Sequence, residues 1–171
     1  CEKTNTFLVV DECFEEFLDE PEAYSIIPFL EKLSHVFVLK AFTKIYAMAG
    51  LRLGYALCSN EDVLTKICQV RQPWSVSGLA QRAGIAALKE TEYVLKTRKL
   101  IHEQREKMEA ALTELGYIVY PSQANYIFFR DRKNKGESSP VLYDRLLKEG
   151  VLIRSCANYP GLDPSFYRIC V

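Results

Sequence analysis

Little in this chain supports a metal site, a disulfide framework or a membrane span. It has two histidines, His35 and His102, and its six cysteines (1, 13, 58, 68, 156 and 170) never form a C-x-x-C pair. That spacing lacks the ligand pattern of a structural zinc site, so no metal is expected. The apolar settings of the cysteines read as reduced core thiols in a cytoplasmic protein. No apolar run approaches the roughly 20 residues that a spanning helix needs, and no signal-peptide pattern opens the chain. Neither sign of charge is in excess: Lys plus Arg is 22, Asp plus Glu is 22. Net charge therefore offers no attraction to nucleic acid or to an anionic membrane.

Apolar side chains are plentiful. They make up 49% of 171 residues, with nine Phe and ten Tyr, enough for a substantial core in one domain or in one and a half small ones. The opening "CEKTNTFLVVDE" reads as a helix tail running into a buried strand, and the closing "FYRICV" stops inside an apolar alternation. Both ends read as cuts in a longer polypeptide.

"TFLVV" (6–10) is a short continuous apolar run of the kind covered on both faces in a parallel sheet. "SIIPFLEKL" (25–33) has helix spacing after Pro28, and "HVFVLKAF" (35–42) and "LRLGYALC" (51–58) are further strands. Strand, helix, strand predicts a βαβ layout and an α/β class. Ser59 and Asn60 offer a helix cap, and Pro73 ends that helix by residue 72. From Ser77 to Leu115 there is no proline and helical spacing persists, so two helices meet near 90–92 or one long helix bridges two domains; Gly116 supplies the stop. Beyond it, "YIVY", "NYIFF", "VLIRS" and "FYRIC" are short strands, "RDRKNKGE" (130–137) is a solvated loop, and Ser139-Pro140 opens a helix that Gly150 ends. The second half thus reads as a small α+β domain, with a boundary near 95.

Three charged residues stand where chemistry can use them. Asp11 directly follows an apolar run, at the strand end where open α/β sheets bind ligands, and once buried it needs a cationic partner. Lys44 follows the second strand; a partly buried lysine loses its proton readily and attacks carbonyl groups. Arg52, eight residues on (52 − 44), lies between Gly50 and Gly54, where a planar guanidinium suits a phosphate. Taken singly, each is explained as well by a cap, a salt bridge or a solvated surface charge.

Their order and spacing resemble the fold-type I pyridoxal-phosphate enzymes. "VVDECFEEF", "FTKIYAMAGLRLGY", "RQPWSVSGLAQRAG" and "VLIRSCANYPGLDPSFYRICV" are similar to the threonine-phosphate decarboxylases of cobalamin synthesis, close relatives of the histidinol-phosphate aminotransferases. The resemblance implies that residues 1–95 are the C-terminal part of a large cofactor-binding domain with a mostly parallel sheet, and 96–171 a truncated small domain. It implies pyridoxal 5'-phosphate as cofactor, a small-molecule substrate and a homodimer at full length. Lys44 would carry the cofactor aldehyde, Asp11 would face the pyridine nitrogen, and Arg52 with the Thr43 hydroxyl would grip the phosphate. Arg168 would bind the substrate's α-carboxylate and Arg154 a second anion.

Two positions depart from common patterns. Phe14 stands where many relatives carry a tyrosine, and Ala41 where a Ser or Thr often adds a hydroxyl to the phosphate site. A decarboxylase is the leading expectation, a histidinol-phosphate-type aminotransferase the next, and a non-catalytic ligand-sensing domain or a remnant kept for assembly a different class. Alone, the chain is expected not to turn over substrate. His35 and His102 are assigned no chemistry. Trp74, Ser75, Asn125 and Asn158 are explained as well by packing or hydrogen bonding as by ligand contact.

Overall fold

The computed structural model describes residues 2–4, 6–134 and 139–171. Cys1 and residues 135–137 of the expected surface loop lie outside them. The chain divides into two compact units, Cys1–Arg98 and Lys99–Val171.

The first unit holds a three-stranded sheet of β1 (Leu8–Asp11), β2 (Val36–Ala41) and β3 (Gly54–Leu57), in that order. β1 and β2 run parallel with Asp11 opposite Leu39, while β3 returns antiparallel with Gly54 opposite Ala41. Among the described strands the sheet is thus half parallel rather than mostly parallel, because residues 42–53 double straight back instead of crossing over. The expected helix at 25–33 is a 3-10 helix, Ile27–Lys32, closed by bonds such as Phe29 N–H to Ile26 O at 3.0 Å. Pro28 in its first turn and the β-branched pair Ile26–Ile27 disfavour an α-helix in so short a segment.

Val36 and Val38 of β2 are buried and pack with Leu30, Val10 and Leu57. β1 departs from expectation: Leu8 is 38% and Val9 54% exposed, since β1 is the edge of the described sheet.

α1 (Glu61–Val70) is capped by Asn60, whose Oδ1 accepts the Val63 N–H at 3.2 Å, and α2 (Gly78–Ala87) by Ser77, whose hydroxyl accepts the Ala80 N–H at 3.2 Å. Trp74, between them, is 97% exposed with φ +60°, so it does not pack within this chain. Of the two expectations for 77–115, the structure has two helices, which meet at 88–90, slightly before the expected 90–92; the second, α3 (Thr91–Glu114), runs 24 residues. Gly116, at φ +89°, closes it.

The second unit has four antiparallel strands, ordered β4 (Ile118–Tyr120), β5 (Tyr126–Arg130), β7 (Phe166–Cys170), β6 (Arg154–Ser155), with α4 (Val141–Lys148) between β5 and β6 in sequence. Aromatic rings fill it. Phe129 meets Tyr117 edge-on at 5.2 Å and Tyr167 at 5.7 Å, while Phe128 stacks on Phe166 at 5.6 Å. Arg105 of α3, buried, donates to the carbonyls of Gln123 and Ala124 at 3.0 and 3.4 Å and so ties down the β4–β5 turn.

The described cysteines are free thiols, but only Cys156 is fully buried; Cys68 and Cys170 are exposed, at odds with a uniform core role. No helix among the described residues is long and apolar enough to cross a membrane.

Candidate functional site

The parallel register of β1 and β2 brings their carboxyl ends to one side of the sheet. Asp11 closes β1 there, and the connection 42–53 leaves the end of β2. That connection is pinned at its base, Phe42 N–H donating to Leu53 O at 3.1 Å, and carries Thr43, Lys44 and Arg52 on one loop. Gly54 is required where the loop re-enters the sheet: a Cβ there would stand 3.0 Å from Lys40 O. From outside, α2 packs on the loop through Gly84, where a Cβ would lie 2.5 Å from Leu53 Cδ2.

Lys44 is exposed rather than partly buried, its amine resting against one face of the Phe14 ring. It is not aimed at random. Its Nζ sits 4.8 Å from the centre of the Phe14 ring, a cation–π contact that holds the amine over the turn after β1. Phe14, which lacks the hydroxyl a tyrosine would bring, thus has a positive role in the geometry.

Asp11 is also exposed, and its partner is not the cation that sequence reasoning required. Its Oδ1 accepts the Cys13 N–H at 3.0 Å. The Cys13 thiol and N–H together hold the Asp11 carboxyl below its usual range, with Lys44 adding a smaller pull in the same direction. Burial and the Asp11 charge in turn push the Cys13 thiol up to about 11. The site therefore presents a firmly ionised carboxylate beside an amine.

Arg52 has φ +52° and ψ +45°, a left-handed conformation rare for a residue with a Cβ, and Ala47 of the same loop has φ +53°. Its Nη1 donates to Ala49 O at 3.1 Å, and the side chain is exposed. Gly50 has nothing within 4 Å of where its Cβ would be, so the backbone is open to approach beside the arginine. Strain of this kind, ~1–3 kcal/mol per residue, persists where the surrounding structure imposes it and clusters at ligand sites.

In the second unit, Arg154 and Arg168 are direct cross-strand partners on β6 and β7. Like charges so placed repel, and among the described residues neither guanidinium has an ion-pair partner. Arg154 Nη2 donates to Asn158 Oδ1 at 2.9 Å and its guanidinium lies 5.5 Å from the Tyr159 ring; Arg168 lies 5.0 Å from Tyr126. Neutral partners thus orient both cations without cancelling them, leaving a paired positive surface suited to an anion. Asn125, just before β5, has its Oδ1 buried without a hydrogen-bond partner among the described residues.

Sequence reasoning missed Lys40. It is buried on β2, 2.6 Å from Glu15 Oε2, 3.4 Å from Glu16 Oε1 and 3.9 Å from Glu12 Oε2. The signal was present: Val36, Val38 and Lys40 share one strand face, and "DECFEEF" carries three glutamates after β1.

The donor set fits pyridoxal phosphate on its own chemistry: an amine for an aldehyde, an ionised carboxylate for a protonated ring nitrogen, an open guanidinium for a phosphate. Comparison with known proteins agrees. The model for the family "Aminotransferase class I and II" matches residues 1–171. A threonine-phosphate decarboxylase of Salmonella typhimurium is 38% identical over 100% of this chain and 46% of its own length. A histidinol-phosphate aminotransferase of Oleidesulfovibrio alaskensis is 38% identical over 91% of the chain and 40% of its own. The chain thus spans about half the length of the curated relatives it matches. Among solved structures, the histidinol-phosphate aminotransferase of Clostridium acetobutylicum superposes with a TM-score of 0.89 at 35% identity, covering 99% of this chain and 50% of that one. That of Sinorhizobium meliloti, in complex with pyridoxal-5'-phosphate, gives 0.85 at 26%, covering 97% and 44%. The chain belongs to the class I and II aminotransferase family.

Proposed function

We propose that this chain contributes the catalytic lysine of a pyridoxal-phosphate-dependent enzyme that acts on a phosphorylated amino acid or amine, most closely a threonine-phosphate decarboxylase. The observation that carries it is the amine of Lys44, held over Phe14 beside the ionised Asp11 at the carboxyl edge of a parallel strand pair. Lys44 would bind the cofactor aldehyde, Asp11 its ring nitrogen, and Arg52 with Thr43 its phosphate. Once bound, the cofactor supplies an electron sink for the pair left behind when a bond at the substrate's α-carbon breaks.

The chain's own residues then decide which bond that is. Arg168 takes the α-carboxylate and Arg154, its cross-strand neighbour, a second anion such as a phosphate. Two anchors fix the rotation of the α-carbon, and rotation selects between loss of the carboxylate and loss of the proton. Lys44 would hold a proton at Nζ for delivery to the substrate's α-carbon. Asp11 keeps its negative charge throughout, because Cys13 holds its pKa low.

The aminotransferase reading is kept because histidinol-phosphate aminotransferases match at equal identity and include the C. acetobutylicum structure at TM-score 0.89. The test uses protein expressed from the complete reading frame with pyridoxal phosphate added. Borohydride reduction should bleach the visible absorption and leave the adduct on the Lys44 peptide. CO2 release from threonine phosphate supports the decarboxylase, and transfer of the amino group of histidinol phosphate to 2-oxoglutarate, giving a ketone and glutamate, supports the aminotransferase. An adduct on another lysine would falsify the assignment of Lys44. We further propose that the working protein is a homodimer and that residues 1–171 alone give no turnover.

A further inference from the structure

Four ionisable side chains next to the site take no part in the chemistry above. Lys40 gathers Glu15, Glu16 and Glu12 around one buried amine, at 2.6, 3.4 and 3.9 Å. Glu12 is held further by the Ser25 hydroxyl at 2.9 Å and the Ile26 N–H at 2.8 Å, and the Glu16 carbonyl accepts Arg98 Nε at 3.1 Å. These residues are interleaved with the site: Asp11 precedes Glu12, Phe14 precedes Glu15, and Lys40 lies four residues before Lys44 (44 − 40).

Fold stability does not explain the arrangement, since an apolar cluster of equal volume stabilises as well as a buried ion network or better. What the network adds is direction. One ammonium with three carboxylates can be satisfied in few geometries, and each fixes the turn after β1 against the end of β2. We propose that Lys40 is a positioning residue, whose ion pairs with Glu15 and Glu16 set where Asp11 and Phe14 stand relative to Lys44. The inference rests on the reading of Lys44 as the cofactor lysine.

The charge state of the network fits this role. At Lys40, burial works against the charged form but the two glutamates outweigh it, and the amine titrates above its usual range. At Glu16, burial outweighs the pull of Lys40 and raises the carboxyl above its usual range. The groups around them are Glu12, Cys13 and Glu15 of the turn, Tyr46 of the loop, Tyr55 of β3 and Arg98 of α3. Removing the ammonium leaves up to three like charges confined together, and their repulsion opens the turn.

The test compares Lys40→Met, Lys40→Arg and the charge-balanced pair Lys40→Met with Glu15→Gln, each in the complete reading frame. The readouts are pyridoxal phosphate affinity and the pH midpoint of the visible absorption of the bound cofactor. That midpoint reports the surroundings of Lys44, chiefly Asp11 and the Phe14 ring. Lys40→Met should weaken cofactor binding by about tenfold and move the midpoint by about one pH unit. The balanced pair should still move it, because the displacement is geometric, and Lys40→Arg should restore it. If Lys40→Met does not fold, Glu15→Gln alone, which removes the shortest contact, should move the midpoint in part. A midpoint unchanged in both the balanced pair and Glu15→Gln, with the wild-type adduct on Lys44, overturns the positioning role. A wild-type adduct elsewhere overturns the functional reading and this inference with it.

Discussion

The two units solve the same problem, a sheet that must hold charged groups in place, by opposite means. In the first, charge is buried and apolar surface is open: Lys40 lies among three glutamates while Leu8 and Val9 of the edge strand are exposed. In the second, rings fill the core and, Arg105 apart, the charges lie outside it. Phe129 and Tyr167 are buried, and Arg154, Arg168 and Arg130 each lie against an aromatic face. A buried ion network fixes orientation at little or no gain in stability. Ring packing gains stability and leaves Arg154 and Arg168 without an ion-pair partner among the described residues, while Arg130 pairs with Asp163. The first arrangement suits a site that must hold its cofactor in one pose, the second a site that must bind and release an anion.

The comparison breaks most visibly at the second core. Phe129→Ala should cost about 3–5 kcal/mol, since the ring touches Tyr117 and Tyr167, and denaturant unfolding should show it as a lowered midpoint. A loss below about 1 kcal/mol would mean that ring packing does not carry this unit.

Next comes the substrate surface. Arg168→Gln and Arg154→Gln should each remove a charge-assisted contact of about 1.5–3 kcal/mol, lowering kcat/KM roughly tenfold to a hundredfold. Neither change should affect folding, because each relieves cross-strand repulsion with its neighbour. Equal loss of stability and activity would show them to be structural.

In the first unit, Gly84→Ala places a methyl 2.5 Å from Leu53 Cδ2. The leucine end can shift, so the cost in stability should be about 1 kcal/mol. Leu53 adjoins Arg52, however, and cofactor affinity should fall more than stability does. Asn60→Ala, which deletes the α1 cap far from the loop, should cost about 1 kcal/mol and leave affinity unchanged. Calorimetry and cofactor titration on both variants separate packing from positioning.

The finest contrast is in pH. Glu16 has a folded pKa above its ordinary 4.5, so the folded state holds that proton more tightly than the unfolded chain. Its contribution is complete below 4.5 and declines as pH rises through the folded value; Glu16→Gln should abolish this slope. Asp163 has the opposite sign. The Ser165 hydroxyl and N–H, then Arg130, hold it below 3.8, so its contribution is present above 3.8 and lost as pH falls below it. Unfolding midpoints followed from acid to neutral pH in Glu16→Gln and Asp163→Asn test both slopes.

Much of the outline was legible in the sequence. Asn60 and Gly116 cap or stop helices where side chain and backbone freedom predict, because capping is decided within a few residues. The loop with Lys44 and Arg52 was legible for a similar reason: a strand must end before it and another begin after it. The 3-10 helix at 27–32 was not, since apolar spacing over six residues is compatible with either helix. The sequence reading expected Lys44 to be partly buried and passed over the burial of Lys40. Each lysine follows apolar residues, and only pairing across strands tells which points inward.

The sequence by itself determined the order and type of most elements, their caps, and the identity of the groups that could serve a phosphate-bearing cofactor. Those are properties of a few adjacent residues, set by side-chain period and backbone preference. Only the tertiary structure decided that β1 runs parallel and β3 antiparallel to β2, that Lys40 gathers three glutamates, and that Arg154 stands opposite Arg168. Each of these is a contact between segments far apart in the chain, fixed by which faces bury one another, and no local period records it.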